Sequence, residues 1–382
     1  MSTYLYVGTR PARGAAENES SMFHILKWDA ESGSLIPMGK VPGIISAGNV
    51  QTDPERRLLY VTDEVSENPY LGMGGGGRVF LFSADPETGM LTKLQDELSF
   101  GGHPSYIALD PEKHYMITTH FCPMPPVPVV AKREDGSYEM RPTYGDTTTV
   151  LRRILPDGSL GDPCDVIYHA PENRRPAHMH CVVPDPTGEM YAACDIGLDR
   201  VYMYRIDSAN GKLEILGGKP TEHTSGAGSR YCAFHPTKPW LFVNSEHKPV
   251  MTAFRYTKAG ELTEICTVSS FPEGTDERGL MASDIAMDKG GKYIYNCMRG
   301  TDTVSVFEID GETGTLRLVQ VYQMEGKKPR SCEISPDGKY LIVANTESDL
   351  VEVIAIDSDG RLSKTDKSVK ASAPGTLTFM SF

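Results

Sequence analysis

A strand–turn–strand phrase recurs along the whole chain and constrains its fold more than any other feature. Each copy has a short apolar segment, a polar turn rich in Asp-Pro, Asp-Gly or Thr-Gly, and a second apolar segment. VVPDPTGEMYAACDI and EISPDGKYLIVANTE are examples. Apolar strands joined by such turns are typical of β-hairpins, whereas almost no segment has the period of an amphipathic helix.

The spacing of the copies predicts a β-propeller. We take the first residue of each turn as an anchor, and the intervals between successive anchors are 57, 75, 50, 53 and 47 residues. The anchors are Asp53, Asp110, Asp185, His235, Asp288 and Ser335. A period of about 50 residues accommodates four short strands, which make one propeller blade. The longest interval contains the Pro-rich segment 122–146, which we interpret as an elaborated loop and not as an interdomain linker.

The two ends of the chain predict how the ring closes. YLYVGTR at the N-terminus resembles a second strand without a first, and GTLTFMSF at the C-terminus resembles a first strand without a second. Pairing them completes a seventh blade and hides two sheet edges. We therefore predict an all-β fold in a single domain, residues 1–382: a seven-bladed β-propeller of four-stranded antiparallel blades, whose N- and C-terminal strands share one blade.

Composition argues against several classes of function. The net charge of −13 at pH 7 predicts no nucleic-acid partner and no anionic membrane partner. No apolar run approaches the roughly 20 residues of a membrane helix, and the N-terminus lacks the pattern of a secretory signal. The eight cysteines include no CxxC pair, which favours reduced thiols in the cytoplasm and no zinc finger. Nothing in the sequence indicates a cofactor or an oligomeric state.

Residues at fixed offsets from the anchors predict a charged funnel. In an antiparallel blade, the start of the first strand and the end of the second lie on one face, which we call the funnel face. Five residues before the anchors stand Gly48, Ser105, His180, Arg230, Ser283 and Arg330. Eleven residues after them stand Glu64, Phe121, Ile196, Glu246, Arg299 and Thr346, with Arg10 equivalent in the split blade.

This concentration of arginines indicates an anionic ligand. Arg230, Arg299 and Arg330 are predicted to converge on the funnel face of an acidic protein. Guanidinium groups suit carboxylate and phosphate, so we predict a small anionic substrate. The alternative is that the charges form ion pairs between blades, because unpaired buried charges are costly. That alternative is strongest for Arg10, Asp63 and Asn345.

Two histidines, His178 and His180, precede an apolar run. In a strand, this spacing places both rings on one face. His180 occupies the offset of Arg230 and Arg330, so we expect it to face the funnel and, with Glu246, to act as a general acid or base. His178 is then a substrate contact or an orienting group.

A metal site is the alternative use of the histidines. It would require four rings from two adjacent blades to converge, namely His103, His120, His178 and His180. No HExxH or similar ligand spacing supports this, so we predict no metal.

Two further features favour structural roles. The glycine-rich segment 71–78 has no helix after it, as a phosphate-binding loop requires, so we predict a flexible rim loop. Cys181, Cys232 and Cys332 recur at one offset, which is typical of small apolar side chains packed between blades.

Together these segments resemble the seven-bladed β-propeller lactonase family, which includes bacterial 6-phosphogluconolactonases and fungal carboxy-cis,cis-muconate cyclases. The resemblance covers nearly the whole chain and is carried by AHMHCVVPDPTGEMYAACDIGLDRVYMY, GSRYCAFHPTKPWLFVNSEH and KPRSCEISPDGKYLIVANTESDLVEV. It implies an active site on the funnel face. The residues it implicates are His180, Arg230, Glu246 and Arg299, with Arg330 and Asp195 nearby.

The sequence departs from the family pattern at three places. Ser229 replaces a proline, Met298 replaces an asparagine, and Thr119, His120 and Phe121 stand where the family usually has Asn-Tyr. The last change alters one wall of the pocket, so the substrate need not be phosphogluconolactone.

Hydrolysis of a small anionic lactone is therefore the leading hypothesis. The predicted catalytic residues are His180, Glu246, Arg230 and Arg299, and the predicted substrate contacts are Arg330, His178, Asp195, Glu64, His103 and His120. The same groups suit a cycloisomerase that forms a muconolactone, with His180 or Glu246 as the proton donor. A non-enzymatic binding platform is the third alternative, and it predicts a large exposed apolar face.

Overall fold

The computed structural model describes residues 2–10, 22–65, 76–121 and 126–382. These residues form seven four-stranded antiparallel blades, and the first strand of each blade contacts the first strands of both neighbouring blades. These contacts run around a closed ring, so the predicted seven-bladed propeller is confirmed. Two short 3-10 turns, Leu216–Gly218 and Thr346–Ser348, are the helical segments in this part of the chain. None of its helices has the length and apolar character needed to cross a membrane.

Both ends of the chain contribute to one blade, which we call the closure blade. Its strands, from the axis outward, are β31 (Pro374–Ser381), β1 (Thr3–Thr9), β2 (Met22–Asp29) and β3 (Ser34–Pro42). The C-terminal strand pairs with the N-terminal strand from Thr3↔Ser381 to Thr9↔Pro374. The predicted sharing of a blade is therefore confirmed, with β31 as the inner strand.

The other six blades each use four strands that follow one another from the axis outward. Blade 1 has β4 (Ala47–Asp53), β5 (Leu58–Asp63), β6 (Arg78–Ala84) and β7 (Leu91–Leu98). Blade 2 has β8 (Pro104–Leu109), β9 (Tyr115–His120), β12 (Thr147–Ile154) and β13 (Leu160–His169). Blade 3 has β14 (Met179–Pro184), β15 (Tyr191–Asp195), β16 (Arg200–Asp207) and β17 (Lys212–Ile215), and β18 (Thr221–Glu222) also pairs with β16.

Blades 4 to 6 repeat this order. Blade 4 has β19 (Ser229–Phe234), β20 (Trp240–Ser245), β21 (Val250–Tyr256) and β22 (Leu262–Ser269). Blade 5 has β23 (Met281–Met287), β24 (Tyr293–Arg299), β25 (Thr303–Ile309) and β26 (Leu316–Gln323). Blade 6 has β27 (Pro329–Ile334), β28 (Tyr340–Asn345), β29 (Leu350–Ile356) and β30 (Leu362–Lys370).

The Pro-rich insertion lies between the second and third strands of blade 2. It was predicted to be an elaborated loop, and it contains a two-stranded hairpin, β10 (Val127–Lys132) and β11 (Tyr138–Thr143). Its residues 122–125 lie outside the described part of the chain, as do residues 71–75 of the glycine-rich segment.

The anchor residues close the turn between the first two strands of a blade. The Asp185 carboxylate accepts a hydrogen bond from the Met190 amide at 2.9 Å, and the Ser335 hydroxyl accepts one from the Tyr340 amide at 3.0 Å. Short side chains that accept from a nearby amide stabilise tight turns. This requirement explains why five of the six anchors are Asp or Ser. At the sixth, Nδ1 of His235 accepts from the amides of Thr237 and Lys238 at 3.1 and 3.0 Å.

The hydrophobic core lies between the blades. Each pair of neighbouring blades encloses one cluster of buried apolar side chains; Phe242 of blade 4, for example, shares a cluster with Phe307 of blade 5. The six other interfaces are built in the same way. Fully burying one such side chain contributes about 1.5–3 kcal/mol, so these interfaces hold the ring rigid around its axis.

Candidate active site

Every inner strand has a β-bulge close to the funnel face. In blade 3, Met179 pairs with Asp195 and Cys181 with Cys194, which leaves His180 as the extra residue. The bulges of the other blades contain Gly48 and Asn49, Ser105, Arg230 and Tyr231, Ser283 and Asp284, Arg330, and Gly375. A bulge re-aims the side chain of its extra residue. The residues five before the anchors all lie in bulges, which explains how they meet near the axis.

Glu246 is the centre of a first group of charges. Its Oε1 accepts a hydrogen bond from Nη2 of Arg299 at 2.8 Å, and its Oε2 lies 3.3 Å from Nε of Arg230. Arg299 also donates to the carbonyl of Ala282 at 2.6 Å. Burial by itself raises the pKa of Glu246, but the two arginines outweigh it and lower the pKa to about 2. Glu246 is therefore a permanent carboxylate.

Glu64 is the centre of a second, similar group. Arg10 donates to both of its carboxylate oxygens, with Nη2 2.6 Å from Oε1, and Nη2 of Arg330 lies 3.9 Å from Oε2. Burial opposes ionisation of Glu64, but Arg10 lowers its pKa below the usual value. These contacts join the closure blade, blade 1 and blade 6.

The two groups together have excess positive charge. Four arginines face two carboxylates, which leaves a formal charge of +2 in a protein whose net charge is −13. Burial lowers the pKa of Arg330 well below its ordinary value, and repulsion from Arg10 and Arg230 lowers it further. An anion bound among these arginines relieves this repulsion, so the site favours anionic ligands.

His180 lies beside these arginines with a neutral ring. It is 4 % exposed, and its Nδ1 has no hydrogen-bond partner among the described residues. Burial lowers its pKa well below 6.5, and the charges of Arg230 and Arg330 lower it further. A neutral imidazole with a free ring nitrogen can accept a proton, which is what a general base requires.

Tyr231 forms the floor of the funnel, although its place in the sequence pattern did not predict a role in the site. Its ring lies 4.9 Å from that of His180 and 4.7 Å from the Arg230 guanidinium carbon. It contacts Tyr106 on its other side at 5.7 Å. It directly follows Arg230 in the bulge of β19, and this adjacency is the one signal that the sequence offers.

His178 and His180 both contact the ring of Phe121, at 4.4 and 6.0 Å, but not through the strand alternation that the sequence predicted. His178 precedes β14, which begins at Met179, and His180 is displaced by the bulge, so the alternation of an extended strand does not apply. The His178 ring stacks on Phe121 at 4.4 Å, and its Nδ1 lies 2.7 Å from the Phe121 carbonyl oxygen. His178 therefore builds a wall of the funnel together with Phe121.

Asp195 was predicted to contact substrate, but its carboxylate binds the backbone. Its Oδ1 accepts hydrogen bonds from the amides of His178, Gly197 and Leu198 at 2.7, 2.9 and 3.1 Å. The side chain is fully buried, so it shapes the turn that follows β15. Asp63 has the same role in blade 1, where its Oδ1 accepts from the Ser46 amide at 2.6 Å.

The remaining predicted contacts also have structural partners. His120 is fully buried, its Nδ1 lies 2.9 Å from the Thr148 carbonyl oxygen, and burial lowers its pKa to about 4. His103 lies closer to the site, with Nδ1 3.4 Å from the backbone oxygen of Glu64. Asn345 donates to a carboxylate oxygen of Glu352 at 2.6 Å.

The four histidines do not form a metal-binding group. In residues 2–10, 22–65, 76–121 and 126–382, the one set of three metal-ligating side chains within 4.8 Å is Cys181, Cys194 and Cys232. These thiols are buried among apolar side chains between blades 3 and 4, which agrees with the packing role predicted for Cys181 and Cys232.

Comparison with known proteins identifies the family to which this propeller belongs. The chain matches the family described as lactonase, 7-bladed beta-propeller, over residues 4–379. It belongs to the seven-bladed β-propeller lactonase family. The resemblance noted in the sequence is thereby confirmed.

Relatives of this lactonase family align over most of the chain. The 6-phosphogluconolactonase of Bacillus subtilis is 25% identical over 387 aligned positions, covering 100% of this chain and 99% of that protein. That of Pectobacterium atrosepticum is 26% identical and covers 90% of each chain. The structure of a periplasmic gluconolactonase from Pseudomonas aeruginosa has a TM-score of 0.84 at 25% identity, covering 100% of this chain and 99% of that one.

Proposed function

We propose that this protein hydrolyses a small anionic lactone of the sugar-acid or phosphosugar class, such as 6-phosphogluconolactone. The observation that supports this most strongly is the excess charge of +2 on the arginine groups around Glu64 and Glu246, next to the neutral ring of His180. Relatives named 6-phosphogluconolactonase and gluconolactonase support the same reaction class.

In this mechanism the arginines bind the anionic group and stabilise the charge that develops on the lactone carbonyl. Arg230 and Arg299 lie beside His180 and Glu246, so we assign them to the oxyanion, and Arg330 with Arg10 to the acid or phosphate group. Donors held rigidly toward a developing oxyanion are commonly worth ~10²–10³ in rate each. Their position is fixed by Glu64 and Glu246 before substrate enters.

His180 acts as the general base. Water adds to the lactone carbonyl carbon, its proton passes to the unprotonated ring nitrogen of His180, and the ring C–O bond then breaks. The same proton neutralises the alkoxide that leaves, so the products are an open-chain hydroxy acid and the unchanged enzyme. The bound substrate anion offsets part of the arginine charge, which raises the basicity of His180 when it is needed.

Glu246 orients the arginines in this scheme and does not transfer protons. A carboxyl group with a pKa of about 2 has no proton to donate at neutral pH and is a weak base. Cycloisomerisation requires a proton donor, and both groups predicted for that role, His180 and Glu246, are unprotonated near pH 7. These pKa shifts favour hydrolysis over muconolactone formation.

The test is a proton-release assay with 6-phosphogluconolactone, gluconolactone and muconolactone. We expect rapid acid release with a sugar lactone, reduced ~10²–10³-fold in Arg230→Ala. The matched control is Arg278→Ala, which removes an exposed arginine and should retain wild-type turnover. Absence of acid release with all three lactones, or equal rates in Arg230→Ala and the wild type, contradicts the proposal.

We also propose that the protein works in the cytoplasm. Seven described cysteines have free thiols, and the sulfur atoms of Cys181 and Cys232 are 3.6 Å apart without forming a bond. Reduced neighbouring thiols are typical of reducing compartments. Cell fractionation and thiol titration of the denatured protein test this: eight titratable thiols in the cytoplasmic fraction are expected, and a periplasmic protein contradicts it.

A further inference from the structure

A cavity of about 430 Å³ lies on the far side of the funnel floor. We call it the lower cavity; it is lined mainly by inner-strand residues that lie in the bulges or follow them. Its polar and aromatic lining includes Asn49, Gln51, Tyr106, Tyr231, Asp284 and Glu333. Tyr231 separates it from the funnel, because the same ring contacts His180 and Arg230 and also lines the cavity.

The lower cavity contains two carboxyl groups that form no ion pair with a described residue. No lysine, arginine or histidine in the described ranges forms an ion pair with Asp284 or Glu333, although both residues line the cavity. Lys289 lies at the cavity wall, and its Nζ donates to the carbonyl of Pro336. The charge of Arg230 acts on Asp284 from the funnel side, but neither carboxyl group forms an ion pair inside the cavity.

Hydrogen bonds hold both carboxyl groups in place. Asp284 accepts from the Ser331 hydroxyl at 2.8 Å and from the Cys332 amide at 3.1 Å, while Glu333 accepts from the Phe379 amide at 3.3 Å. Burial raises the pKa of Asp284 to about 6 and that of Glu333 to about 8, and the charge of Asp284 contributes to the second shift. The carboxyl group of Glu333 therefore holds a proton near pH 7, and a bound cation can replace that proton.

Aromatic rings and amides complete the lining. The rings of Tyr106 and Tyr231 meet edge to face, and neither hydroxyl makes a hydrogen bond to another described residue. Ring faces attract organic cations, and side-chain amides such as those of Asn49 and Gln51 can accept N–H groups. This combination of carboxyl, aromatic and amide groups is typical of amine recognition.

A metal ion fits these observations less well. Calcium takes six to eight oxygen ligands at short range, and the two carboxyl groups supply few of them. A volume of about 430 Å³ also exceeds the roughly 30 Å³ of one water molecule by more than tenfold, so there is room for a molecule of several heavy atoms.

We propose that the lower cavity binds a small organic ammonium ion, with Asp284 and Glu333 as its charge partners and Tyr106 and Tyr231 as its aromatic wall. The site opens to the turn face of the ring, opposite the funnel. It is therefore independent of the proposed lactonase activity, and it is tested without any lactone present.

The experiment is isothermal titration of the full-length protein with putrescine at pH 8. We expect saturable one-site binding, weakened at least ~10-fold in Glu333→Gln and in Asp284→Asn, because each loses one charge-assisted contact. The matched control, Glu273→Gln, removes an exposed carboxylate and should bind as the wild type does. Binding should also release protons from Glu333, so the heat should depend on the ionisation enthalpy of the buffer.

Three results overturn the proposal. They are the absence of saturable heat up to ~10 mM putrescine, unchanged affinity in both variants, and binding of calcium or magnesium without binding of putrescine. If one variant does not fold, as judged by circular dichroism, the other variant and the buffer dependence of the wild type still decide the question.

Discussion

The funnel and the lower cavity are two halves of one axial channel, yet their charges are opposite. The funnel has four arginines around two carboxylates, whereas the lower cavity has two carboxyl groups and no paired cation among the described residues. The inner strands contribute to both halves, and the ends of the second strands add further charged residues to the funnel. In β27, Arg330 belongs to the funnel and Glu333, three residues later, belongs to the lower cavity.

This difference shows how a propeller can hold a basic site and an acidic site close together along its axis. The bulge in each inner strand interrupts the alternation of side chains, so the residue in the bulge and those after it reach the channel at different heights. Tyr231, at the end of one such bulge, lies between the halves. The opposite charges of the two halves therefore depend on three features: the arginines of the funnel, the bulges, and the carboxyl groups of the lower cavity that form no ion pair.

The largest expected effect is on catalysis in the funnel. His180→Ala should lower kcat by ~10²–10⁴, because it removes the proposed base while leaving the arginines that bind the substrate, so KM should change little. His178→Ala is the matched control, and we expect a change of less than ~10-fold because its ring stacks on Phe121. Steady-state kinetics with a sugar lactone measure both. If kcat falls equally in the two variants, His180 is not the general base.

An intermediate effect is expected from filling the bulge of the closure blade. A Cβ atom at Gly375 would lie 2.5 Å from Cβ of Arg10, so Gly375→Ala should displace Arg10 from Glu64. We expect a loss of about 1–3 kcal/mol in the free energy of unfolding and a higher KM. Gly311→Ala adds a methyl group where nothing lies within 4 Å and serves as the control. Urea unfolding with unchanged stability in Gly375→Ala would show that the bulge tolerates a side chain.

The third effect varies with pH and concerns the protonated carboxyl group of the lower cavity. Because the folded protein raises the pKa of Glu333 to about 8, the unfolded chain releases this proton at lower pH than the folded chain does. Glu333 therefore favours unfolding increasingly as pH rises from about 5 toward 8. Relative to the wild type, Glu333→Gln should gain on the order of 2–3 kcal/mol in unfolding free energy between pH 5 and pH 7.5.

Denaturant unfolding across this pH range measures the gain. Glu273→Gln should show no such trend, because its carboxylate is exposed in both states. A difference between Glu333→Gln and the wild type that does not change with pH would mean that Glu333 ionises normally in the channel.

Much of the funnel was predictable because the blade repeat sets its geometry. Offsets from the anchors predicted that Arg230, Arg299, Arg330 and Glu246 lie on one face, and the structure brings them into two connected groups. The sequence predicted that His178 and His180 share a strand face, and their rings do meet at Phe121, but the bulge interrupts the strand alternation on which that prediction depended.

The role of Asp195 and the presence of the lower cavity were also beyond sequence reasoning. Asp195 occupies a promising offset, but its carboxylate is used by three backbone amides of its own turn. Asp284 and Glu333 come from adjacent blades and are 49 positions apart in the chain, so no local pattern joins them.

The sequence by itself determined the number of blades, the closure of the ring by both chain ends, and the face on which the arginines collect. These follow from local rules, since strand alternation and turn chemistry act over a few residues and repeat with the blade. Only the tertiary structure decided which charges are neutralised, which rings are neutral and which carboxyl groups remain without a partner. Those properties depend on burial and on distances across the axis between blades, which the order of residues along one strand does not contain.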